Sequence, residues 1–254
     1  MILNRISTAI REQDWFAVIV EFFIVIAGVV IGFQITAWNG ERQERAEAAD
    51  LMARLHDEIL DVEMVREDWR ELVQPIEMLD TLRALSPLLL DTDAADRPLT
   101  REECSALVRS HILALPPQVL PMLDELEATG AIRLIDDAAV RIALTNQLQR
   151  FERTADLVDQ MTRGFHSLPA LSAEAITYVA ADVPENWNPM FDNSARCNLD
   201  AMRSDLAFLN QYADNTSRYY FYVETAVHAT DQRLAELHAA VDAALGIDHG
   251  EAAE

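Results

Sequence analysis

Histidine and carboxylate spacing gives the closest approach to chemistry in this chain. Glu224, His228 and Asp231 follow one another at steps of four and three residues, so a helix would place all three on one face. A neutral imidazole flanked by two carboxylates can bind a divalent metal ion. A solvated face of alternating charges has the same spacing and is the commoner structure, so we predict no metal site at these residues.

Other signatures of catalysis are missing from the sequence. The six histidines form no HExxH or paired Glu-x-x-His pattern, and no serine stands in a GxSxG elbow. No glycine-rich phosphate-binding loop occurs. The aromatic run from Tyr219 to Tyr222 would spread around a helix, which favours core packing over a ligand pocket. We therefore expect no catalytic residues, no cofactor and no enzyme activity.

The two cysteines, Cys104 and Cys197, form an even number with neither in a CxxC nor a metal-like spacing. A disulfide between them would close a very long loop and contribute roughly 4 to 5 kcal/mol in the chain-entropy model. Disulfides persist in the periplasm and are rare in the cytosol. Two unrelated buried thiols are the alternative. We favour the disulfide.

The longest apolar segment runs from Trp15 to Trp38, WFAVIVEFFIVIAGVVIGFQITAW. As a helix it would be about 35 Å long, which exceeds the hydrocarbon core of a bilayer, about 30 Å. The tryptophans at its ends suit the two membrane interfaces. A cleaved signal peptide is the main alternative, but no small-x-small cleavage site follows at Ala37 to Gly40. The sequence therefore predicts an uncleaved signal anchor that spans the bilayer once.

One face of this predicted anchor carries residues that anchoring alone does not require. Glu21, Val25, Gly28 and Gly32 follow at steps of four, three and four, so they share a helical face. A GxxxG spacing lets two membrane helices approach closely, and a carboxylate inside the span favours a partner. We predict association with a second membrane helix, from another copy or from a different protein. The alternative is that Glu21 reaches toward the headgroups.

Charge bears on orientation and on partners. Arginines flank the anchor on both sides in nearly equal number, so the predicted orientation, with the N-terminus inside and the domain in the periplasm of a bacterial inner membrane, depends on the cysteines. The chain has 20 basic and 43 acidic residues, a net charge of −23, and every basic residue is arginine. Such a field repels nucleic acid, which we exclude as a partner. A solubility surface is favoured over an acidic face for a basic partner.

The stretch from Glu21 to Arg45 resembles the opening of a bacterial family of single-pass membrane proteins of unknown function. That family has a Gly-x-x-Ile-x-x-Gln membrane core ending in Trp-Asn-x-x-Arg. A second likeness lies at Leu123 to Leu144. The resemblance implies a membrane-tethered helical domain and supplies no activity. The matching residues are Gly28, Ile31, Gln34, Trp38, Asn39 and Arg42.

The chain is expected to be all-α, with a cytoplasmic stub and transmembrane anchor at 1–40, a helical soluble domain at 41–246 and a disordered tail at 247–254. Pro75 should break the first helix, Thr100 and Glu103 should form a capping box, and Gly130 should end a helix. An amphipathic stripe should begin the domain, formed by Leu51, Leu55, Ile59, Val62, Val65, Trp69, Leu72, Ile76, Leu79 and Leu82.

Five further helices are predicted. They run from Thr100 through His111 to Pro116, from Val119 to Thr129, from Asp136 to about Phe165, from Asp200 to Asn210 as a short helix, and from Asp214 to Leu245. Between them, Leu168 to Cys197 lacks periodicity and should be an irregular crossing with a short helix near Ser172 to Val179. The elements predict an antiparallel helical bundle in which the first and last long helices pair.

Two functions fit this architecture. The favoured one is a membrane-tethered, non-enzymatic helical module for protein interaction or scaffolding in the bacterial envelope. The alternative is a ligand-sensing extracytoplasmic domain that signals through its single membrane helix to a partner protein. In both, the bilayer is one partner and a protein is the other.

Overall fold

The computed structural model describes residues 15–91, 97–179 and 195–248. The predicted N-terminal stub lies outside the described residues, as do parts of the loop after Asp91, of the crossing before Cys197 and of the C-terminal tail. The described part is predominantly helical, so the all-α prediction is confirmed. Two three-residue strands are present as well.

The helices, in chain order, are α1 Trp15–Val73, α2 Pro75–Leu90, α3 Arg101–Arg109, α4 Pro121–Thr129, a 3-10 turn Ala131–Leu134, α5 Ala138–Gly164, α6 Leu168–Leu171, α7 Leu199–Ser204, α8 Leu206–Tyr222, a π-helical segment Val223–His228, and α9 Ala229–Leu245. Strands β1 Ile176–Tyr178 and β2 Ala195–Cys197 pair antiparallel, with Ile176 opposite Cys197.

Two compact units divide the chain, Met1–Leu51 and Met52–Glu254, so α1 begins in the first and ends in the second. Among the described residues, one helix is long and apolar enough to cross a membrane, and it lies near the N-terminus. Its apolar window is not buried at all within the chain. This exposed segment is the part of α1 that corresponds to the predicted anchor.

The core of the second unit lies between α2, α3, α8 and the π-helical segment. Leu82, Leu85, Leu107 and Phe208 are fully buried there, and each such side chain contributes roughly 1.5 to 3 kcal/mol by leaving water. Tyr212 is equally buried, and its hydroxyl hydrogen-bonds the carbonyl of Leu82 and, at 2.9 Å, the hydroxyl of Ser86. A polar atom inside this apolar core is therefore satisfied.

Three local signals are confirmed. Gln74 adopts a left-handed conformation, φ 49°, and separates α1 from α2, because Pro75 cannot continue the helical hydrogen bonds. Thr100 accepts the backbone N–H of Glu103, whose carboxylate accepts the N–H of Thr100 in turn. Gly130, φ 67°, ends α4 in the left-handed conformation that glycine adopts without strain.

The amphipathic stripe is correct at its two ends, where Leu79 and Leu82 are also buried, and wrong in its middle. Leu55 and Ile59 are fully buried, but Val65 and Leu72 are 51% and 55% exposed. Successive helical residues are rotated by about 100°, so Arg66 lies roughly 20° from Ile59 while Val65 lies about 120° away. Arg66 therefore occupies the buried face, and its side chain is 1% exposed. Ile76, on α2, is also exposed, because Gln74 changes the chain direction before it.

Several predicted boundaries are corrected by capping. Asp137, not Asp136, accepts the first N–H groups of α5. Asp205 does the same for α8, so the break between the short helix and the final long helix lies at Asp205 and not between Asn210 and Asp214 as predicted. α3 ends at Arg109, so His111 lies beyond it. In the crossing, the short helix is Leu168–Leu171, whereas residues 176–178 form β1 instead of the helix predicted at Ser172 to Val179.

Candidate functional site

The predicted association face lies within α1. Glu21, Gly28 and Gly32 are exposed, and Val25 is 63% exposed. A Cβ built at either glycine meets nothing within 4 Å in the described chain. The two glycines therefore leave a shallow notch that the described residues of this chain do not fill.

Cys104 and Cys197 lie at disulfide-bonding distance, with their Sγ atoms 2.04 Å apart. Cys104 lies on α3 and Cys197 ends β2. The structure thus brings together the two cysteines that the sequence pairs, and the link joins α3 to the β1–β2 hairpin. The two cysteines are 93 residues apart in the sequence, so the link joins segments that are distant along the chain.

The spacing of Glu224, His228 and Asp231 does not produce a site. Glu224 and His228 are exposed and lie in the π-helical segment. Asp231 lies on α9 and binds arginines of α1. The carboxylate of Asp231 is therefore engaged in ion pairs with α1.

A buried ion-pair network joins α1 to α9. Arg66 donates through Nε and Nη2 to Oδ1 of Asp231, the first at 2.9 Å, and through Nη1 to the carbonyl of Pro117 at 2.6 Å. Arg70 donates to the same carboxylate oxygen at 2.9 Å. Partial burial opposes ionisation of Arg70, but its hydrogen bond to Asp231 and the charge of Asp231 outweigh it, so the pKa of Arg70 rises above its usual value.

The residues most suited to ligand binding are ones that the sequence analysis did not single out. His56 on α1 and His238 and Asp242 on α9 bring their ligating atoms within 4.8 Å of one another. Nε2 of His56 lies 3.2 Å from Oδ1 of Asp242, and Nε2 of His238 lies 3.4 Å from Oδ2. All three side chains are about 85% buried, with 13%, 16% and 14% exposed. The cluster is thus enclosed but reachable from solvent.

Glu63 determines which nitrogen of His238 faces Asp242. Oε1 of Glu63 lies 2.9 Å from Nδ1 of His238. A carboxylate there holds a proton on Nδ1, and a neutral imidazole then presents its lone pair at Nε2. Glu63 lies about two helical turns from His56 on α1, so α1 supplies both a ligating group and the group that orients its neighbour.

The pairing of α1 with α9 explains why local spacing did not reveal this cluster. His56 meets Asp242, Glu63 meets His238, and Arg66 meets Asp231, so the two helices run antiparallel, as predicted for the first and last long helices. On each helix the pattern was available, at i, i+7 in α1 and i, i+4 in α9. Spacing along the sequence does not reveal how two helices that are far apart in the chain are aligned with each other.

The aromatic run is confirmed as core for two of its four residues. Tyr219 and Tyr222 are 1% and 0% exposed, and Tyr222 donates its hydroxyl to the carbonyl of Ala114 at 2.5 Å. Burial raises the pKa of both phenols well above the usual range. Tyr220 and Phe221 are exposed, and the guanidinium of Arg83 lies 4.5 Å from the ring centre of Tyr220.

Comparisons of the chain with protein-family models, with curated proteins and with solved structures found no match.

Proposed function

We propose that this protein is a membrane-tethered, non-enzymatic helical module that binds a protein partner, or a second copy of itself, in the bacterial envelope. The segment from Trp15 to Trp38 anchors it in the inner membrane by a single pass. The second unit is the soluble domain, and it lies in the periplasm.

The exposed apolar part of α1 carries this proposal. Phe33, Val29 and Phe23 are 76%, 67% and 65% exposed, and apolar residues face every direction around this part of the helix. A soluble protein rarely exposes a continuous apolar surface of this extent. A bilayer covers such a surface, and the backbone hydrogen bonds of a helix are already satisfied inside lipid.

The face formed by Glu21, Val25, Gly28 and Gly32 supports a protein partner within the membrane. Lipid chains are as apolar as leucine, so helix association depends on close packing and on polar groups. The two glycines permit close packing, and Glu21 supplies a polar group. A carboxylate at that depth is expensive unless another group hydrogen-bonds it, which favours a partner helix.

The cysteine pair supports the periplasmic location of the domain. Cys104 and Cys197 are at bonding distance, and disulfides form and persist in the oxidising periplasm. A disulfide across so long a loop would contribute roughly 4 to 5 kcal/mol in the chain-entropy model. A domain that gains this much stability from oxidation is suited to that compartment.

Photo-crosslinking in cells tests the interaction directly. Because the chain contains no lysine, amine-reactive reagents are unsuitable. A photoreactive residue is placed instead at Val25, on the face, or at Val30, about 140° from Val25 around the helix. We expect a discrete covalent adduct from position 25 and none from position 30. Its mass distinguishes a second copy from a different protein.

The glycines supply the matched variants for this experiment. Gly28→Leu with Gly32→Leu should abolish the adduct from position 25, whereas Ile26→Leu with Val30→Leu, on the opposite face, should leave it unchanged. The structure accommodates a side chain at both glycines, so the loss would come from the partner and not from the chain's own packing. Equal adducts from both faces, or none from either, would contradict the proposal.

One observation favours the sensing alternative. The cluster of His56, His238 and Asp242 is a partly enclosed polar site in the second unit, of the kind that binds a small ligand. A ligand that binds only the folded state raises the melting temperature in proportion to the logarithm of its concentration. A sensor should show this for the detergent-solubilised full chain, and a pure scaffold should not.

A further inference from the structure

We propose that His56, His238 and Asp242 form a binding site for a single divalent transition-metal ion of the zinc class. The inference does not depend on the membrane interaction proposed above. It rests on the type of the three ligating groups, on their separations and on the carboxylate that orients His238.

The ligand set is one that zinc prefers. Zn²⁺ binds imidazole nitrogen at about 2.0 to 2.1 Å and carboxylate oxygen at about 2.0 to 2.2 Å, commonly as three protein ligands with water in the fourth position. Two imidazoles and one carboxylate fit this pattern. The cluster is about 85% buried, so a bound ion would keep a path to solvent for that water.

The separations agree with tetrahedral coordination. Ligands at about 2.05 Å around a tetrahedral ion are roughly 3.3 Å apart. Nε2 of His56 lies 3.2 Å from Oδ1 of Asp242 and Nε2 of His238 lies 3.4 Å from Oδ2, so either carboxylate oxygen stands at this separation from one of the two nitrogens. The widest separation among the ligating atoms is within 4.8 Å, so binding requires a closure of about 1.5 Å at most. Rotation of the partly exposed rings about χ2, which is a soft torsion in histidine, supplies this movement.

Glu63 acts as a positioning residue for the site. Metal-ligating histidines almost always donate their second ring N–H to a carboxylate, a carbonyl or water, which fixes the tautomer and the ring orientation. Glu63 stands 2.9 Å from Nδ1 of His238 in this arrangement. With Nδ1 protonated, Nε2 of His238 presents its lone pair toward Asp242. A cation between them can be bound by both the imidazole nitrogen and the carboxylate.

A proton can take the place of the metal ion. His238 protonated at both nitrogens would bridge Glu63 and Asp242, and His56 would donate to the other oxygen of Asp242, giving a hydrogen-bonded cluster and no metal site. The two arrangements place the same atoms at similar distances. Only the metal-binding arrangement predicts that the purified protein takes up zinc at these residues, so zinc uptake distinguishes the two.

The experiment measures zinc binding to the full chain in detergent. The protein is purified without a polyhistidine tag, stripped with a chelator and titrated with zinc chloride in excess magnesium, which occupies non-specific acidic surface sites. We expect one zinc ion per chain. At 100-fold excess over the dissociation constant, the melting temperature should rise by about 5 to 10 °C.

Four variants locate the ion. His56→Ala and Asp242→Asn should lose the stoichiometric zinc and the thermal shift. Glu63→Gln should retain the site with roughly 10- to 100-fold weaker affinity. His228→Ala, which removes an exposed histidine from the neighbouring π-helical segment, is the matched control and should bind zinc as the original chain does.

Cobalt(II) provides a readout that does not depend on the variants folding. Bound to the unmodified chain, it should show the intense visible absorption of a four-coordinate ion with nitrogen ligands. The proposal is overturned if the chain takes up no zinc, if cobalt shows only the weak absorption of a six-coordinate ion, or if His228→Ala loses zinc as completely as His56→Ala does.

Discussion

The two ends of α1 differ in the exposure of their apolar side chains. From Ile19 to Trp38 its apolar side chains are exposed on all sides, whereas after Leu51 several of them, among them Leu55, Ile59 and Val73, are buried within the second unit. Both ends belong to one helix, Trp15–Val73. What differs is the surroundings for which each end is suited, lipid for the first and the protein's own core for the second.

Charged residues within these apolar stretches sharpen the contrast. Arg66 is 1% exposed, and Asp231 and the carbonyl of Pro117 satisfy it within the chain. Glu21 is the one charged residue in a far more apolar stretch, and it is exposed in the structure. The charge of Arg66 is paired within the chain and stabilises the fold, whereas the exposed carboxylate of Glu21 supports the association proposed above.

The largest expected effect comes from removing the buried charge. Arg66→Ala leaves Asp231 with a weakened ion pair and the carbonyl of Pro117 without its donor, and loss of one partner of a buried pair typically costs about 3 to 5 kcal/mol. Thermal unfolding of the full chain in detergent measures this. Glu21→Ala is the control, and it should leave the unfolding midpoint of the second unit unchanged. A similar loss for both variants would break the comparison.

A matched pair of isoleucines gives the next largest effect. Ile59 is fully buried and Ile24 is 64% exposed, and both lie on α1. Ile59→Ala should destabilise the second unit by about 2 to 4 kcal/mol through lost burial and a residual cavity. Ile24→Ala should change the same transition by less than about 0.5 kcal/mol. Equal effects would mean that the first end of α1 also belongs to a protein core.

The smallest effect should come from a surface ion pair on α1. Arg45 and Glu41 lie 3.0 Å apart one turn from each other, with side chains 70% and 62% exposed. Pairs of this kind contribute about 0.3 to 0.5 kcal/mol and are screened by salt. Arg45→Ala should therefore lower the free energy of unfolding by less than about 0.5 kcal/mol, the upper limit given for Ile24→Ala. A loss of stability comparable with that of Arg66→Ala would show that burial does not determine how much these residues stabilise the protein.

Signals that act within a few residues were readable from the sequence. Pro75 breaks α1, Thr100 and Glu103 form the capping box, and Gly130 ends α4, because each depends on backbone chemistry at that position. The exposed apolar segment was equally readable, since its length and composition alone define it. Cys104 and Cys197 were paired by elimination, as the chain has two cysteines.

Features that depend on register between distant elements were missed. A search for apolar residues at helical spacing does not identify a charged residue such as Arg66, although its position in the helix places it on the buried face. The cluster of His56, His238 and Asp242 requires the antiparallel alignment of α1 and α9. The π-helical segment between α8 and α9 is a local change of helical geometry that no sequence motif indicated.

Peptide mapping of the membrane-extracted chain, with thiols alkylated at lysis, tests most directly whether this is a membrane-tethered protein with a periplasmic domain. Trypsin releases Cys104 in EECSALVR, residues 102–109, and Cys197 in CNLDAMR, residues 197–203. The account predicts that these two peptides are recovered from the membrane fraction as one disulfide-linked species that separates on reduction. Recovery of both peptides alkylated and unlinked, or of the chain from the soluble fraction, would contradict it.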